Sequence, residues 1–282
     1  MYQAGLVLEG GGMKGVYSSG VLDFFLDKGL EFSSCYGVSA GACSLCSFLS
    51  KQRGRAYHVT VDYLEDKNYC STYSLLTTGD LFNVDMCYHR IPDELNPYDY
   101  DTYSRYQGNF YSVVTNIETG EPEYIPIKDL TKEIDAIRAS ASLPLVSRNV
   151  PFRGHWYLDG GISDSIPLAR SMQDGNAKNV VIMTKEKGYR RSPSSMLSLV
   201  KFRYRKYPKV YELMKNRHIT YNKTLDFMEK QIQLGNTFLI QPKHKSEVGR
   251  IEKDQTKLRA LYDEGYQDAS ECYEELLRFL EA

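Results

Sequence analysis

The chain has 282 residues and a formal net charge of -1, with 42% hydrophobic and 25% charged residues. This composition is ordinary for a globular protein with a sizeable core, organised as one large domain or two small ones. The balanced charge gives no overall attraction to nucleic acid, which we do not expect as a partner. No run approaches the ~18 apolar residues of a membrane-spanning helix, and we expect no signal peptide.

Six cysteines are scattered along the chain, which favours a reducing, cytoplasmic location. Cys43 and Cys46 form a C-x-x-C pair, but no second pair completes a zinc site. We therefore interpret both as small core residues, and we predict no metal site and no cofactor.

Two strand–turn–helix units open the chain. A strand over residues 5–9 leads into a glycine-rich turn at 10–15 and a helix over 16–28. A second strand signal at 35–38 leads into another turn and an apolar helix over 40–50. Short joints between such units predict a parallel sheet with right-handed crossovers. Both turns would then lie at the carboxyl edge of the sheet, where such folds place their sites.

The second turn has the pattern Gly-x-Ser-x-Gly of a nucleophile elbow. Ser39 would lie on a strained turn that requires small neighbours, which are Gly37 and Gly41. Consecutive glycines in the first turn allow several N–H groups to converge as an anion-binding nest, and the helix after Ser39 adds one more donor. Such donors stabilise the oxyanion of an acyl-transfer reaction. The predicted donors are the N–H groups of Gly11, Gly12, Met13 and Ala40.

The first turn also fits nucleotide binding. Gly10-x-Gly12-x-x-Gly15 satisfies the dinucleotide fingerprint, and Glu31 lies near the position of a ribose-binding acid. A Walker A site is excluded, because Lys14 precedes the last glycine. A nucleotide fold does not require the Gly-x-Ser-x-Gly turn, so the two turns together favour acyl transfer, with nucleotide binding as the alternative.

The middle of the chain predicts two hairpins. Residues 51–107 are polar, Tyr-rich and poorly periodic, so we expect short helices and long loops that cap the site. Residues 109–127 predict a hairpin, and residues 129–140 predict a helix that starts at an aspartate. A second hairpin over 150–158, turned at Gly154-His155, leads into Asp159-Gly160-Gly161.

The last third is mostly helical by its pattern. Residues 178–184 and 238–241 predict two more strands, while residues 194–232 and 247–281 predict helices.

A serine nucleophile needs a base to take its proton. None of the five histidines lies in a supporting context, although His155 precedes Asp159 by four residues. A carboxylate at a strand end, followed by two glycines, can be held rigidly and act as the base if it is partly desolvated. We therefore predict a Ser39–Asp159 dyad, with a Ser39–His155 pair as the alternative.

Four ordered blocks resemble the patatin-like phospholipase family, and they cover residues 5–185. They are the turn at 10–15, the turn at 37–41, Ala139-Ser140 with Pro144, and Asp159-Gly160-Gly161. The chain is most similar to the bacterial branch with an added helical C-terminal region.

The resemblance implies an α/β fold, a three-layer α/β/α sandwich around a mostly parallel sheet. It also implies a lipid acyl hydrolase without a catalytic histidine. Ser39 would be the nucleophile, Asp159 the base, and Gly11, Gly12 and Met13 the oxyanion donors. Two positions depart from the pattern: Lys14 stands where the family often has Arg, and Asp164 where many members have Asn. Asp164 is a minor rival for the base.

Residues 185–209 carry nine basic side chains against one acid, around the apolar stretch Met196-Leu197-Ser198-Leu199-Val200. This pattern suits peripheral contact with an anionic membrane, and a solvated basic face beside a packed helix is the alternative.

We predict a catalytic core over residues 1–185, and a mostly helical region over 186–282 that packs on the core or completes it. The predicted function is hydrolysis of lipid acyl esters, with glycerophospholipid or lysophospholipid as the first substrates. The alternative is a non-catalytic nucleotide- or lipid-binding protein on a related α/β fold. The sequence carries no prediction of oligomeric state.

Overall fold

A computed structural model describes all 282 residues and contains one eight-stranded sheet. The strands are β1 (Tyr2–Leu8), β2 (Phe32–Val38), β3 (Asn109–Asn116), β4 (Pro122–Pro126), β5 (Val150–Phe152), β6 (His155–Asp159), β7 (Asn179–Ile182) and β8 (Thr237–Ile240).

The sheet is mixed, with a parallel centre. Paired neighbours run β5-β6-β3-β2-β1-β7-β8, and β4 also pairs with β3. The pairs β1–β2, β2–β3, β1–β7 and β7–β8 are parallel. The pairs β3–β4, β3–β6 and β5–β6 are antiparallel, and β3–β4 and β5–β6 are hairpins.

Eleven α-helices surround the sheet. They are α1 (Val16–Asp27), α2 (Ala40–Leu49), α3 (Arg55–Val61), α4 (Thr72–Thr78), α5 (Tyr100–Ser104), α6 (Leu130–Ser140), α7 (Leu168–Gln173), α8 (Leu197–Arg203), α9 (Pro208–Gln233), α10 (Gln255–Glu271) and α11 (Tyr273–Glu281). Gly12–Gly15 and Gly160–Ile162 form 3-10 turns, and Met86–Leu95 forms a π-helix. None of the helices combines the length and apolar character needed to cross a membrane.

The two faces of the sheet pack against different helices because side chains alternate along each strand. Leu6 and Leu8 of β1 face the largest core cluster, which contains residues of α1, α2 and α10. Val7 points the other way, into a cluster with Tyr221 of α9 and Leu168 of α7. The result is helix, sheet and helix in three layers, so the predicted α/β sandwich is confirmed.

Two details differ from the predictions. The second hairpin turns at Arg153-Gly154, one residue earlier than predicted, and both residues have positive φ, 47° and 85°. Such a turn matches the twist of the flanking strands. Helix α10 starts at Gln255 rather than near residue 247, because the Asp254 side chain caps it by accepting hydrogen bonds from the N–H groups of Thr256 and Lys257.

The pairing of β3 brings the end of β6 to the end of β2. Val113 pairs with Val38 of β2, and the next residue, Val114, pairs with Asp159 of β6. Both Val113 and Val114 use their other edge for β4. β6 therefore takes over from β2 along the same edge of β3, so Asp159 lies beside the turn that begins after Val38.

Candidate active site

Ser39 occupies a strained turn between β2 and α2. Its φ of 56° and ψ of −125° lie outside the regions that non-glycine residues usually adopt. A Cβ on Gly37 would lie 2.5 Å from Ala42 Cα, and one on Gly41 would lie 2.8 Å from Leu8 Cβ. Neither position can hold a side chain without a shift of the backbone. The Ser39 N–H donates to Ser140 Oγ at 2.8 Å, which ties the turn to the end of α6.

Asp159 is held by its backbone and by one carboxylate oxygen. Its N–H donates to the Ser142 carbonyl at 2.8 Å, and its carbonyl accepts from the Thr115 hydroxyl at 2.8 Å. Oδ1 accepts from the Gly161 N–H at 2.7 Å. Oδ2 is buried and accepts no hydrogen bond from the protein. The carboxylate therefore has one fixed oxygen and one oxygen without a partner.

The environment of Asp159 raises its pKa above the ordinary value of 3.8. Burial is the largest cause, since the residue is 1% exposed and desolvation disfavours the charged form. The positive charge of Arg217 and the adjacent Ser39 hydroxyl lower the pKa in part. A carboxyl group with a raised pKa can both accept and return a proton.

The four predicted oxyanion donors fall into two groups. The N–H groups of Gly11, Gly12 and Ala40 donate no hydrogen bond to a backbone carbonyl in the turns and loops. The Met13 N–H donates to the Arg250 carbonyl at 3.1 Å. In this conformation Met13 is therefore engaged by the loop before α10, contrary to the expectation that all the N–H groups of the nest are available.

Ser39 lines an apolar cavity of about 140 Å³. Fourteen of its 21 lining residues are hydrophobic. Its walls come from α2, α6 and the segment 51–107, which contributes Arg55, Ala56, Val59, Thr60, Tyr69, Phe82, Cys87, Tyr88 and Tyr98. Cys43 of the C-x-x-C pair lines this cavity, while Cys46 is buried in the core.

A second, polar cavity of about 170 Å³ is lined by both Ser39 and Asp159. Only two of its 15 lining residues are hydrophobic. It is lined by five cationic side chains: Lys14, Lys185, Arg191, Arg217 and Arg250. Glu9 also lines it, but its carboxylate accepts hydrogen bonds from the Tyr221 hydroxyl and from the N–H and hydroxyl of Thr184. Ser39 thus lies where an apolar cavity meets a basic one.

The alternative bases lie outside both cavities. His155 is exposed and pairs with Glu118 at 2.9 Å, and no other histidine lines either cavity. Asp164 accepts a hydrogen bond from the Tyr124 hydroxyl at 2.7 Å and lines neither cavity.

Glu31, the acid that would bind a ribose in the nucleotide-binding interpretation, is far from the glycine-rich turn. Glu31 precedes β2 and forms an ion pair with Lys51 at 2.5 Å. The glycine-rich turn follows the carboxyl end of β1, which runs parallel to β2. Glu31 is therefore about 20 Å away from it, a full strand length.

Three arginines of the site were not predicted. Arg191 lies within the basic stretch predicted for membrane contact, but it and Lys185 line the polar cavity. Arg217 and Arg250 lie far from Ser39 in the sequence, in the middle of α9 and in the loop before α10. No local pattern connects them to the two glycine-rich turns.

Two family models match successive parts of the chain. The family model of patatin-like phospholipases matches residues 6–170, and a domain of unknown function, DUF6363, matches residues 207–281. VipD from Legionella pneumophila, a solved structure, aligns over 100% of this chain and 67% of its own, with a TM-score of 0.48 and 13% identity.

Three curated relatives match parts of the chain. The uncharacterized protein YjjU of Escherichia coli K12 is 34% identical over 64% of this chain. The probable lipid hydrolase 463L of Invertebrate iridescent virus 6 is 22% identical over 63%. The mouse 1-acylglycerol-3-phosphate O-acyltransferase Pnpla3 is 27% identical over 47%. The matches span 51%, 66% and 32% of these relatives' own lengths. Because the family model covers more than half of the chain, this protein belongs to the patatin-like phospholipase family.

Proposed function

We propose that the protein hydrolyses acyl esters of lipids through Ser39 and Asp159. The observation that carries the proposal is the unpartnered, buried Oδ2 of Asp159 beside a serine on a strained elbow. A buried carboxylate oxygen without a hydrogen-bond donor lowers the stability of the fold, and a catalytic role can explain why it is kept. The proposed role is to accept the proton of the Ser39 hydroxyl.

In the proposed mechanism, Asp159 takes the proton of the Ser39 hydroxyl as Oγ attacks the ester carbonyl. The N–H groups of Gly11, Gly12 and Ala40 stabilise the oxyanion of the tetrahedral intermediate. Collapse of the intermediate breaks the ester bond, and Asp159 returns its proton to the leaving alcohol. Water activated by Asp159 then attacks the acyl-enzyme, and the fatty acid and free Ser39 are released. Met13 joins the donors only when its N–H is released from the Arg250 carbonyl.

The apolar cavity fits an acyl chain. It starts at the proposed nucleophile, and its apolar lining would bury methylene groups at ~0.8 kcal/mol each. The family and the relative named a probable lipid hydrolase support a lipid as the substrate. We propose a glycerophospholipid or lysophospholipid.

We propose that the C-terminal region completes the catalytic core of residues 1–185. Within residues 186–282, β8 adds a strand beside β7, α10 packs on α1, and Arg217 and Arg250 line the polar cavity. These contacts support a site that needs both regions.

We further propose that α8 contacts an anionic membrane. Met196, Leu199 and Phe202 are exposed around it, with Phe202 72% exposed. The neighbouring cations Lys201, Arg203, Arg205 and Lys206 form no ion pair with a carboxylate. Exposed apolar side chains ringed by unpaired cations are suited to an interface with anionic lipid.

Labelling with a fluorophosphonate probe tests the dyad. The expected result is one adduct on Ser39 by mass spectrometry, absent in Ser39→Ala and formed much more slowly in Asp159→Asn. Ser270→Ala is the matched control, because Ser270 is exposed and lines neither cavity. Absence of an adduct on folded wild-type protein would contradict the proposal and favour the non-catalytic lipid- or nucleotide-binding alternative.

A further inference from the structure

The polar cavity holds more positive charge than its own carboxylates balance. Five cationic side chains line it, against the two carboxylates of Glu9 and Asp159. Lys14, Lys185, Arg191, Arg217 and Arg250 are absent from all 14 ion pairs of the protein. Like charges gathered in one cavity repel each other, so an anion bound among them would be stabilised.

Two of these arginines also have unsatisfied donors. The Nε atoms of Arg191 and Arg217 are buried and donate no hydrogen bond. Arg191 is oriented by stacking on the Tyr221 ring, with its guanidinium carbon 4.6 Å from the ring centroid. Its backbone is fixed as well, since its N–H donates to Asn222 Oδ1 at 2.9 Å and its carbonyl accepts from Asn222 Nδ2 at 3.1 Å. The guanidinium group of Arg191 is therefore held in place, and its Nε–H has no acceptor in the protein.

The positive charges also perturb each other. Burial, together with the charges of Arg191 and Arg250, lowers the pKa of Arg217 to about 10. Burial likewise lowers the pKa of Lys185, and Lys14, Arg191 and Arg250 contribute in the same direction. A bound dianion would reverse these shifts, because an opposite charge favours the protonated form.

From these contacts we propose that the polar cavity is a headgroup subsite that binds the phosphate of the lipid substrate, with Arg191 and Lys185 as its specificity residues. The inference rests on the proposed function, because it places the ester at Ser39, the acyl chain in the apolar cavity and the phosphate in the basic one. Arginine forks match the tetrahedral oxygens of a phosphate, and lysine adds a point charge. The preferred substrate class is an acyl ester that carries a phosphate a few bonds from the ester, such as an acylglycerol phosphate.

A pair of soluble esters tests the subsite without a membrane. Hexanoylglycerol phosphate and hexanoylglycerol share the acyl chain and differ in the phosphate. The wild-type protein is expected to cleave the phosphate ester with at least about tenfold higher kcat/KM, since a charge-assisted contact is worth more than 1.4 kcal/mol. Arg191→Gln and Lys185→Gln should each reduce this preference about tenfold, mainly through KM. Arg191→Lys should lose part of it, because it keeps the charge but not the fork.

Arg190→Gln is the matched control. It removes the same charge at the neighbouring position, but Arg190 points to Asp226 and does not line the cavity, so the preference should be unchanged. A substitution of Arg217 would not isolate the phosphate subsite, because the charge of Arg217 also acts on Asp159.

Fluorophosphonate labelling of Ser39 in every variant separates the two proposals. Labelled protein that cleaves both esters equally would overturn the subsite and keep the hydrolase. Protein that is not labelled and cleaves neither ester would overturn both. Calorimetry with Ser39→Ala distinguishes the source of the phosphate: hexanoylglycerol phosphate should bind more tightly than inorganic phosphate. Equal binding of the two would overturn the assignment to a lipid headgroup.

Discussion

At the scale of single residues, the site depends on one buried carboxyl group and the charges around it. Asp159 must be ionised to accept the Ser39 proton, and burial opposes ionisation while Arg217 favours it. The position of Asp159 follows from a register: Val38 and Asp159 pair with adjacent residues of β3. This register brings a carboxylate, rather than a histidine, beside the elbow.

The pH dependence of activity should report the pKa of Asp159. The raised pKa places the acidic limb of kcat/KM above the ordinary value of 3.8, with activity lost as the pH falls through it. Arg217→Gln removes a positive charge that favours the ionised carboxylate, so the limb should move to higher pH. The measurement is kcat/KM for a neutral soluble ester as a function of pH.

Lys215→Gln provides the comparison for Arg217, because Lys215 is exposed on the same helix and lines neither cavity. An acidic limb that stays in place in Arg217→Gln, or moves equally in Lys215→Gln, would contradict the assignment of Asp159 as the base.

At the scale of elements, the segment 51–107 forms one wall of the apolar cavity. The prediction of short helices and loops for this segment agrees with the structure, which contains α3, α4, a π-helix and α5 there. Val59 of α3 lines the cavity, while the preceding His58 is exposed and pairs with Asp62. Val59 therefore faces the cavity, while its neighbour His58 faces solvent.

Val59→Trp should shorten the preferred acyl chain. The indole ring of Trp is larger than the Val side chain and fills the space of about two methylene groups of the acyl chain. Each buried methylene contributes ~0.8 kcal/mol. The ratio of kcat/KM for long-chain to short-chain esters should therefore fall about tenfold. His58→Trp is the matched substitution outside the cavity and should keep the wild-type ratio. A wild-type ratio in Val59→Trp would show that the chain binds elsewhere.

Helix α8 carries the proposed membrane contact. Reversing the charge at Arg203, Arg205 and Lys206 to Glu should weaken binding to anionic vesicles strongly, since each cation near such a surface contributes ~1 kcal/mol. The measurement is sedimentation with vesicles that contain phosphatidylglycerol, at two salt concentrations. Reversal of three exposed cations away from α8, Lys223, Lys230 and Arg278, should have a smaller effect. Equal losses from both sets would indicate a response to net charge rather than a surface at α8.

At the scale of the whole molecule, the C-terminal region is attached through close helix packing. Gly20 of α1 and Gly265 of α10 allow the two backbones to approach, and a Cβ on Gly265 would clash with the Tyr17 carbonyl. Three tyrosine–aspartate hydrogen bonds cross the same contact: Tyr17 to Asp268, Tyr262 to Asp23 and Tyr266 to Asp27. Glycines and directional bonds together fix one arrangement of the two helices.

Gly265→Ala should lower the free energy of unfolding by about 1–3 kcal/mol, because the added methyl group overpacks the contact. Ser270→Ala on the exposed face of α10 should change it by less than about 0.5 kcal/mol. Urea denaturation followed by circular dichroism measures both. A Gly265→Ala variant as stable as the wild type would mean that α10 does not pack closely on α1 in solution.

The local chemistry of the chain determined the elements and the proposed dyad. Gly37 is required by a neighbour in its own turn, Ala42, and Asp129 specifies the start of α6 by capping it. For the same reason the order of the strands, the helices α1, α2 and α6 and both hairpins could be predicted from the sequence, as could the family, whereas the short helix α7 was not predicted. Such signals act over a few residues, where backbone geometry leaves few choices.

Only the tertiary structure decided what surrounds Ser39. Arg217 and Arg250 reach the polar cavity from α9 and from the loop before α10, and the Arg250 carbonyl takes the N–H of Met13. Residues 185 and 191 belong to one basic stretch in the sequence, yet they face the cavity while Phe202 faces solvent. These arrangements depend on how distant segments pack against the sheet. Packing arises from the shape of the whole core, which no local pattern encodes.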